Sequence, residues 1–74
     1  MKEMLIFVDT KHNKNKFYKL ELSGDMVHVE YGRVGANAQK ASFSGGETMF
    51  KRKMRQKLTK GYIKSSIDLG YLIS

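Results

Sequence analysis

Apolar and polar positions alternate along the first two-thirds of the chain, and this period of two is typical of β-strands. The four segments with this alternation, or with a short apolar run, are residues 4–8, 17–22, 26–34 and 39–43. Short polar or glycine-containing stretches separate them, and such stretches favour turns between paired strands. The pattern therefore predicts four strands joined by hairpin-like connections.

After the fourth predicted strand the apolar spacing changes to that of a helix. The apolar positions that recur every four residues are Phe50, Met54 and Leu58. Ser44 and Glu47 stand three residues apart, which predicts a capping box at the helix start. Gly61 suits the left-handed conformation that ends many helices. We therefore predict a helix over 45–60 and a last strand within 62–67.

These elements predict an α+β fold, with a small antiparallel sheet of four to five strands and one helix packed on one face. The 74 residues are expected to form a single domain, 1–74. A domain of this size buries only about 60% of the surface that its unfolded chain exposes. A deep enclosed active site is therefore not expected.

The composition argues against several classes of protein. The chain has no cysteine, so it can form no disulfide and no thiolate zinc site. His12 and His28 lie far apart in sequence, and no acidic cluster joins them. We therefore expect no metal, no cofactor and no catalytic residues, that is, a protein that is not an enzyme. The apolar run at 4–8 is too short for a signal peptide or a membrane span, which predicts a cytoplasmic protein without membrane contact.

Positive charge is the most informative property of the composition. The chain has 14 Lys and Arg against 7 Asp and Glu, a net charge of +7, and an isoelectric point near 9.8. Half of the basic residues lie within one stretch that has no acidic residue, namely Lys51, Arg52, Lys53, Arg55, Lys57, Lys60 and Lys64. The simpler interpretation of this basic cluster is a helix face that lies in solvent. Polyanion binding is favoured because like charges four residues apart destabilise a helix, whereas each contact to a phosphate releases a counterion.

One segment of the predicted third strand carries a family signature. Tyr31-Gly32-Arg33-Val34-Gly35 resembles the Trp-Gly-Arg-Val-Gly motif of the WGR domain, found in poly(ADP-ribose) polymerases and in bacterial WGR-domain proteins. Lys60-Gly61-Tyr62 resembles the Lys-Gly-Tyr segment that closes the family's helix. The order and spacing of the strands and the helix also agree, and the resemblance spans residues 15–64. Tyr31 stands where the family has its signature tryptophan.

The resemblance implies a fold and a binding function. The family fold is an antiparallel sheet with a helix against it, which agrees with the predicted elements. The resemblance also implies that Tyr31 stacks on a sugar or base, that Arg33 meets a backbone phosphate, and that Gly32 lets the backbone approach the ligand or bulge. By alternation, however, Tyr31 shares a face with Val27 and Val29, so a place in the core stays open.

The predicted function is nucleic-acid binding, to DNA before RNA, with ends or nicks as candidate targets. The residues predicted to bind are Tyr31, Gly32, Arg33, Lys51, Arg52, Arg55, Lys60 and Lys64. The alternative is a protein-interaction adaptor or a small homo-oligomer. It would use the apolar C-terminal segment with Ile67, Leu69, Tyr71, Leu72 and Ile73.

Overall fold

Five strands form one antiparallel sheet in the computed structural model, which describes residues 1–65. In chain order the elements are β1 (Lys2–Asp9), β2 (Lys14–Ser23), β3 (Met26–Arg33), β4 (Gln39–Ser44), α1 (Gly46–Thr59) and β5 (Ile63–Lys64). The strand order across the sheet is β4-β3-β2-β1-β5. The predicted α+β architecture, with one helix against a small antiparallel sheet, is confirmed. Within residues 1–65, no helix is long and apolar enough to cross a lipid bilayer.

The core lies between the helix and one face of the sheet. Adjacent strands bring apolar side chains of that face into register, so that Leu5 pairs with Tyr18 and Leu20 with Val29. The buried residues of this cluster are Leu5, Tyr18, Leu20, Val27, Val29 and Phe50. Full burial of a large apolar side chain contributes about 1.5–3 kcal/mol. Phe50, with 0% exposure, is therefore the main anchor of the helix on the sheet.

The helix confirms the predicted span but not the whole predicted apolar stripe. Phe50 is buried and Met54 packs beside it, whereas Leu58 is 37% exposed. The reason is the helical repeat of 3.6 residues, which places position i+7 about 20° from position i but position i+8 about 80° from it. Lys57, seven residues after Phe50, therefore lies over the sheet, and Leu58 turns away from it.

The predicted capping box between Ser44 and Glu47 is wrong. The N-cap residue is Gly45, and no side chain caps the helix. Ser44 cannot serve because it still belongs to β4, where it pairs with Met26. The backbone carbonyl of Asp25 instead accepts hydrogen bonds from the amides of Gly45 and Gly46, at 3.1 and 3.0 Å. The chain thus enters the helix through two glycines whose φ angles are positive, 128° and 60°.

Gly32 lies inside a regular ladder and forms no bulge. It pairs with Phe17, and the next pair, Lys16 with Arg33, continues the same register. The expectation of a bulge at Gly32 is therefore wrong, because both strands contribute one residue to every pair. Its φ of 151° favours glycine, and the ring of Phe17, only 1% exposed, lies beside it on the sheet face away from the helix.

The last strand is shorter than the sequence pattern over 62–67 predicts. Only Ile63 and Lys64 form β5, where they pair with Ile6 and Leu5 of β1. The amide of Ser65 then donates a hydrogen bond to the carbonyl of Met4 at 2.8 Å. The apolar segment considered for protein interaction, from Ile67 to Ile73, lies outside the described residues.

Candidate nucleic-acid interface

Tyr31 lies on the helix-side face of the sheet, at the end of the core and only half-buried. It shares that face with Val27 and Val29, as the alternation predicts. Its ring packs against Tyr18 with a centroid separation of 5.9 Å and an interplanar angle of 33°. One part of Tyr31 therefore supports the core, and another part remains exposed to solvent.

Two further tyrosines surround this position. Tyr18, directly opposite Tyr31 on β2, is 5% exposed. Burial, and then the proximity of Tyr31 and Tyr62, raises the pKa of the Tyr18 phenol. Tyr62 follows the helix and contacts Phe7, with ring centroids 5.5 Å apart, and burial raises its pKa as well. The phenols of Tyr18 and Tyr62 therefore stay neutral at physiological pH and can serve as hydrogen-bond donors.

Lys57 reaches from the helix across these rings. Its Nζ atom lies 4.8 Å from the ring centroid of Tyr18 and 5.6 Å from that of Tyr62, both within cation–π range. Desolvation lowers the pKa of the Lys57 ammonium, and repulsion from Lys60, Lys16 and Lys53 lowers it further. The fold thus holds one ammonium group above two aromatic rings and brings other positive charges close enough to repel it.

We call this region the tyrosine–lysine surface, which consists of Tyr18, Tyr31, Tyr62, Lys16, Lys53 and Lys57. Lys53 extends it along the helix, with its Nζ atom 4.1 Å from the ring centroid of Phe43. Within residues 1–65, none of its three lysines forms an ion pair with a carboxylate. The exposed Arg33 borders the surface, since it pairs in register with Lys16.

The other helix cations point away from this surface. Lys51, Arg52 and Arg55 are exposed, and we call these three residues the outer helix face. They line one shallow groove together with Thr48, Gln56, Thr59 and Lys60. Lys51 forms a salt bridge with Glu47 at 3.1 Å, an exposed pair of a kind that contributes little to stability.

The predicted binding residues therefore fall into separate groups. Tyr31 and Arg33 lie at or beside the tyrosine–lysine surface, and Lys60 lies close enough to Lys57 to lower its pKa. The outer helix face lies on the other side of the helix. Lys64 is exposed on the edge strand β5, opposite Leu5.

The residues of this surface that sequence reasoning did not include in the site are Lys16, Lys53, Lys57, Tyr18 and Tyr62. A signal for Lys57 was present, because a residue seven positions after the buried Phe50 returns to the same helix face. Lys16 stands two residues before Tyr18 and so shares its side of β2. That the two lysines meet, however, depends on how the helix crosses the sheet, and one sequence does not give that placement.

The sheet face away from the helix has a different charge pattern. Two of its cations have carboxylate partners, since Lys2 lies 3.9 Å from Glu21 and Lys40 lies 3.9 Å from Glu30. His28 Nδ1 lies 2.9 Å from the Ser42 hydroxyl. Within residues 1–65, no group of three or more His, Asp or Glu side chains is placed to hold a metal ion. In the part of the chain that the structure describes, the helix by contrast carries four cations that form no ion pair with a carboxylate, namely Arg52, Lys53, Arg55 and Lys57.

Comparisons with known proteins agree with this fold. The chain has no significant match among curated proteins. A crystal structure of a protein from Bacteroides fragilis is similar to this chain, with a TM-score of 0.76 and 27% sequence identity over 88% of this chain. This chain spans 19% of the length of that protein. The sequence model of the family described as "WGR domain" matches residues 1–68 of this chain. The chain therefore belongs to the WGR domain family.

Proposed function

We propose that this WGR domain binds nucleic acid through the tyrosine–lysine surface and Arg33. The WGR domain is a binding module, and nucleic-acid binding is known for the family in poly(ADP-ribose) polymerases. Binding without catalysis is the function that we assign to this chain. We propose DNA before RNA as the target because the motif resembles that of poly(ADP-ribose) polymerases, which DNA damage activates.

The observation that carries the proposal is a group of three lysines, none of which pairs with a carboxylate within residues 1–65. Lys57 lies over two tyrosine rings and Lys53 over the ring of Phe43. Bringing Lys16, Lys53 and Lys57 together costs free energy, since their charges repel one another and Lys57 is partly desolvated. A polyanion offsets that cost, because its phosphates neutralise the lysines and release bound counterions. A surface that served only solubility would mix charges of both signs, as the opposite sheet face does.

Each neighbouring residue has a role in this proposal. The exposed part of Tyr31 provides a stacking face for a sugar or base, an interaction worth about 1–3 kcal/mol per stacked base. Arg33 presents a planar guanidinium that can donate two hydrogen bonds to one phosphate. Gly32 keeps the strand regular between them. Lys60, which lies near Lys57, lengthens the contact along the backbone. The other predicted cations attract the polyanion only from a distance, namely Lys51, Arg52, Arg55 and Lys64.

Fluorescence anisotropy with three labelled ligands tests the proposal: an intact duplex, a 5′-phosphorylated nicked duplex and a single strand. We expect binding that weakens steeply as salt rises, and tighter binding to the nicked duplex if an end is needed. Arg33→Ala should lose more affinity than the matched variant Lys51→Ala, whose residue lies on the outer helix face. Lack of binding to all three ligands at about 50 mM salt, where phosphate contacts are strong, contradicts the proposal.

A further inference from the structure

The hairpin that joins β1 to β2 lies at the same end of the sheet as Arg33. Its last pair is Asp9 with Lys14, and two residues earlier on β1, Phe7 pairs with Lys16. Lys16 in turn pairs with Arg33 of β3. Because side chains alternate along a strand, Lys14 lies on the same, helix-side face of β2 as Lys16. The hairpin therefore continues the row of cations that borders the tyrosine–lysine surface.

The cations of this hairpin are within reach of one nucleic-acid strand. Lys14 and Lys16 are two residues apart, which corresponds to about 7 Å along an extended strand. A DNA strand carries one phosphate charge about every 3.4 Å along the helix axis. Lys11 and Lys14 are exposed, and neither forms an ion pair with a carboxylate of residues 1–65. Both can therefore contact phosphates next to those that meet Lys16.

Asp9 orders the turn of this hairpin, although its charge is negative. Its Oδ1 atom accepts hydrogen bonds from the backbone amides of Lys11 and His12, at 3.1 and 3.3 Å. Its Oδ2 atom lies 2.9 Å from Nδ1 of the His12 ring. The hydrogen bond with that ring is the main reason why the pKa of the Asp9 carboxyl is lowered. Asn13 completes the turn with a φ of 52°, a conformation that Asn adopts more readily than most residues.

The base of the hairpin is fixed as well. The amide of Val34, next to Arg33, donates a hydrogen bond to the carbonyl of Asn15 at 2.9 Å. A loop that is already ordered loses less conformational entropy on binding than a flexible one does. Asp9 therefore has two opposed effects on a polyanion, since its charge repels phosphate but its hydrogen bonds hold the neighbouring cations in place.

We propose that the nucleic-acid surface extends over the β1–β2 hairpin, where Lys11 and Lys14 contact phosphates and Asp9 is the positioning residue that orders the turn. This inference rests on the proposed function, because the tyrosine–lysine surface and Arg33 must first bind the same strand. A hairpin that served only solubility would carry the same lysines. In that case the hydrogen bonds of Asp9 would have no bearing on affinity, so Asp9 distinguishes the two interpretations.

Two substitutions of Asp9 separate its charge from its hydrogen bonds. Asp9→Asn and Asp9→Ala each remove one negative charge, but the asparagine side chain can accept the same hydrogen bonds from the backbone amides. We expect Asp9→Asn to bind a labelled DNA duplex at least as tightly as the unchanged chain. Asp9→Ala should bind at least about threefold more weakly than Asp9→Asn, because a smaller fraction of its hairpins has the binding conformation. Fluorescence anisotropy at fixed salt measures this ratio, and thermal unfolding verifies that both variants fold.

The lysines are tested by a second, independent pair of variants. Lys11→Gln/Lys14→Gln should make the slope of log K against log salt shallower by about 0.9 for each phosphate contact that is lost. Arg52→Gln/Arg55→Gln removes the same charge from the outer helix face and should change the slope by less. This comparison decides the question alone if Asp9→Ala does not fold.

The outcomes separate this inference from the proposed function. Equal affinities of Asp9→Asn and Asp9→Ala, both folded, would mean that Asp9 acts only through its charge, and would overturn the inference. Equal changes of slope in the two double variants would overturn it as well. In both cases DNA binding by the unchanged chain leaves the proposed function intact. Failure of the unchanged chain to bind any nucleic acid overturns the proposed function first.

Discussion

The tyrosine–lysine surface and the outer helix face each carry three cations of the same helix and its surroundings, yet their environments differ. Lys51, Arg52 and Arg55 extend into solvent, where one salt bridge and water screen them. Lys53 and Lys57 are half-buried and lie over the rings of Phe43, Tyr18 and Tyr62. The two surfaces therefore carry the same number of positive charges, but holding them in place costs more free energy on the tyrosine–lysine surface.

This difference distinguishes charge that aids solubility from charge placed for a ligand. The outer helix face would keep the protein soluble wherever its side chains pointed. The tyrosine–lysine surface places like charges together and removes one of them partly from water, which lowers the pKa of Lys57. Natural proteins keep such unfavourable arrangements mainly at functional sites. The proposal of a binding surface therefore rests on the position of the charges more than on their number.

The largest expected effect comes from removing each set of cations in turn. The variant Lys16→Gln/Lys53→Gln/Lys57→Gln and the matched variant Lys51→Gln/Arg52→Gln/Arg55→Gln each remove three positive charges. We expect the first to lose more affinity for a DNA duplex, because its lysines meet the phosphates next to the stacked sugar or base. The slope of log K against log salt should become shallower by about 0.9 for every phosphate that the variant no longer neutralises.

Titrations at several salt concentrations measure this difference, and thermal unfolding verifies that both variants fold. Equal losses of affinity in the two variants would mean that total charge governs binding. The contrast between the two surfaces would then have no bearing on function.

A smaller effect is expected from the aromatic component, which only one of the two surfaces has. Tyr31→Ala should weaken binding by about 1–3 kcal/mol, the usual contribution of one stacked ring. Tyr31→Trp, which restores the signature residue of the family, should bind at least as tightly as the unchanged chain because its ring is larger. Tyr31→Phe serves as the control, since it keeps both the ring and the packing on Tyr18.

Anisotropy titrations and melting temperatures together separate stacking from folding. If Tyr31→Ala binds as well as Tyr31→Phe while both are folded, Tyr31 acts only as a core residue. That outcome would leave the lysines as the functional part of the surface.

The sequence predicts the elements of this fold well, because each depends on local periodicity. The alternation over 17–22 places Tyr18 and Leu20 on one face, and the structure pairs them with Tyr31 and Val29. The start of the helix is less predictable. The Ser44–Glu47 spacing favours a cap, but strand pairing with Met26 retains Ser44 in the sheet. Tertiary contacts thus override a local signal.

The candidate site is only partly predictable, and its two kinds of residue show why. The resemblance to the family motif identifies Tyr31 and Arg33, because both belong to the short signature on either side of Gly32. Lys16 and Lys57 are 41 positions apart in the chain and approach each other only because the helix crosses β2. A single sequence records the charges of both residues but not the crossing that brings them together.

The smallest expected effect is a pH dependence that only the tyrosine–lysine surface should show. The pKa of Lys57 lies below its ordinary value of 10.5, so Lys57 loses its proton at a lower pH than an exposed lysine does. A bound phosphate favours the charged form, so binding takes up a proton once the pH exceeds the pKa of free Lys57. Affinity should therefore fall as pH rises through that range, at most about tenfold per unit for one linked proton. The pKa values of Tyr18 and Tyr62 are raised, so their phenols ionise at a higher pH than an ordinary tyrosine does. A phenolate would repel phosphate, so its formation does not reverse the trend. Affinity measured from about pH 8 to pH 10 at fixed salt should fall less steeply in Lys57→Arg, whose guanidinium stays charged.

Lys51→Arg is the matched control and should keep the slope of the unchanged chain. A slope altered equally by both substitutions would assign the linked proton to the lysines in general, and the two surfaces would then be electrostatically equivalent.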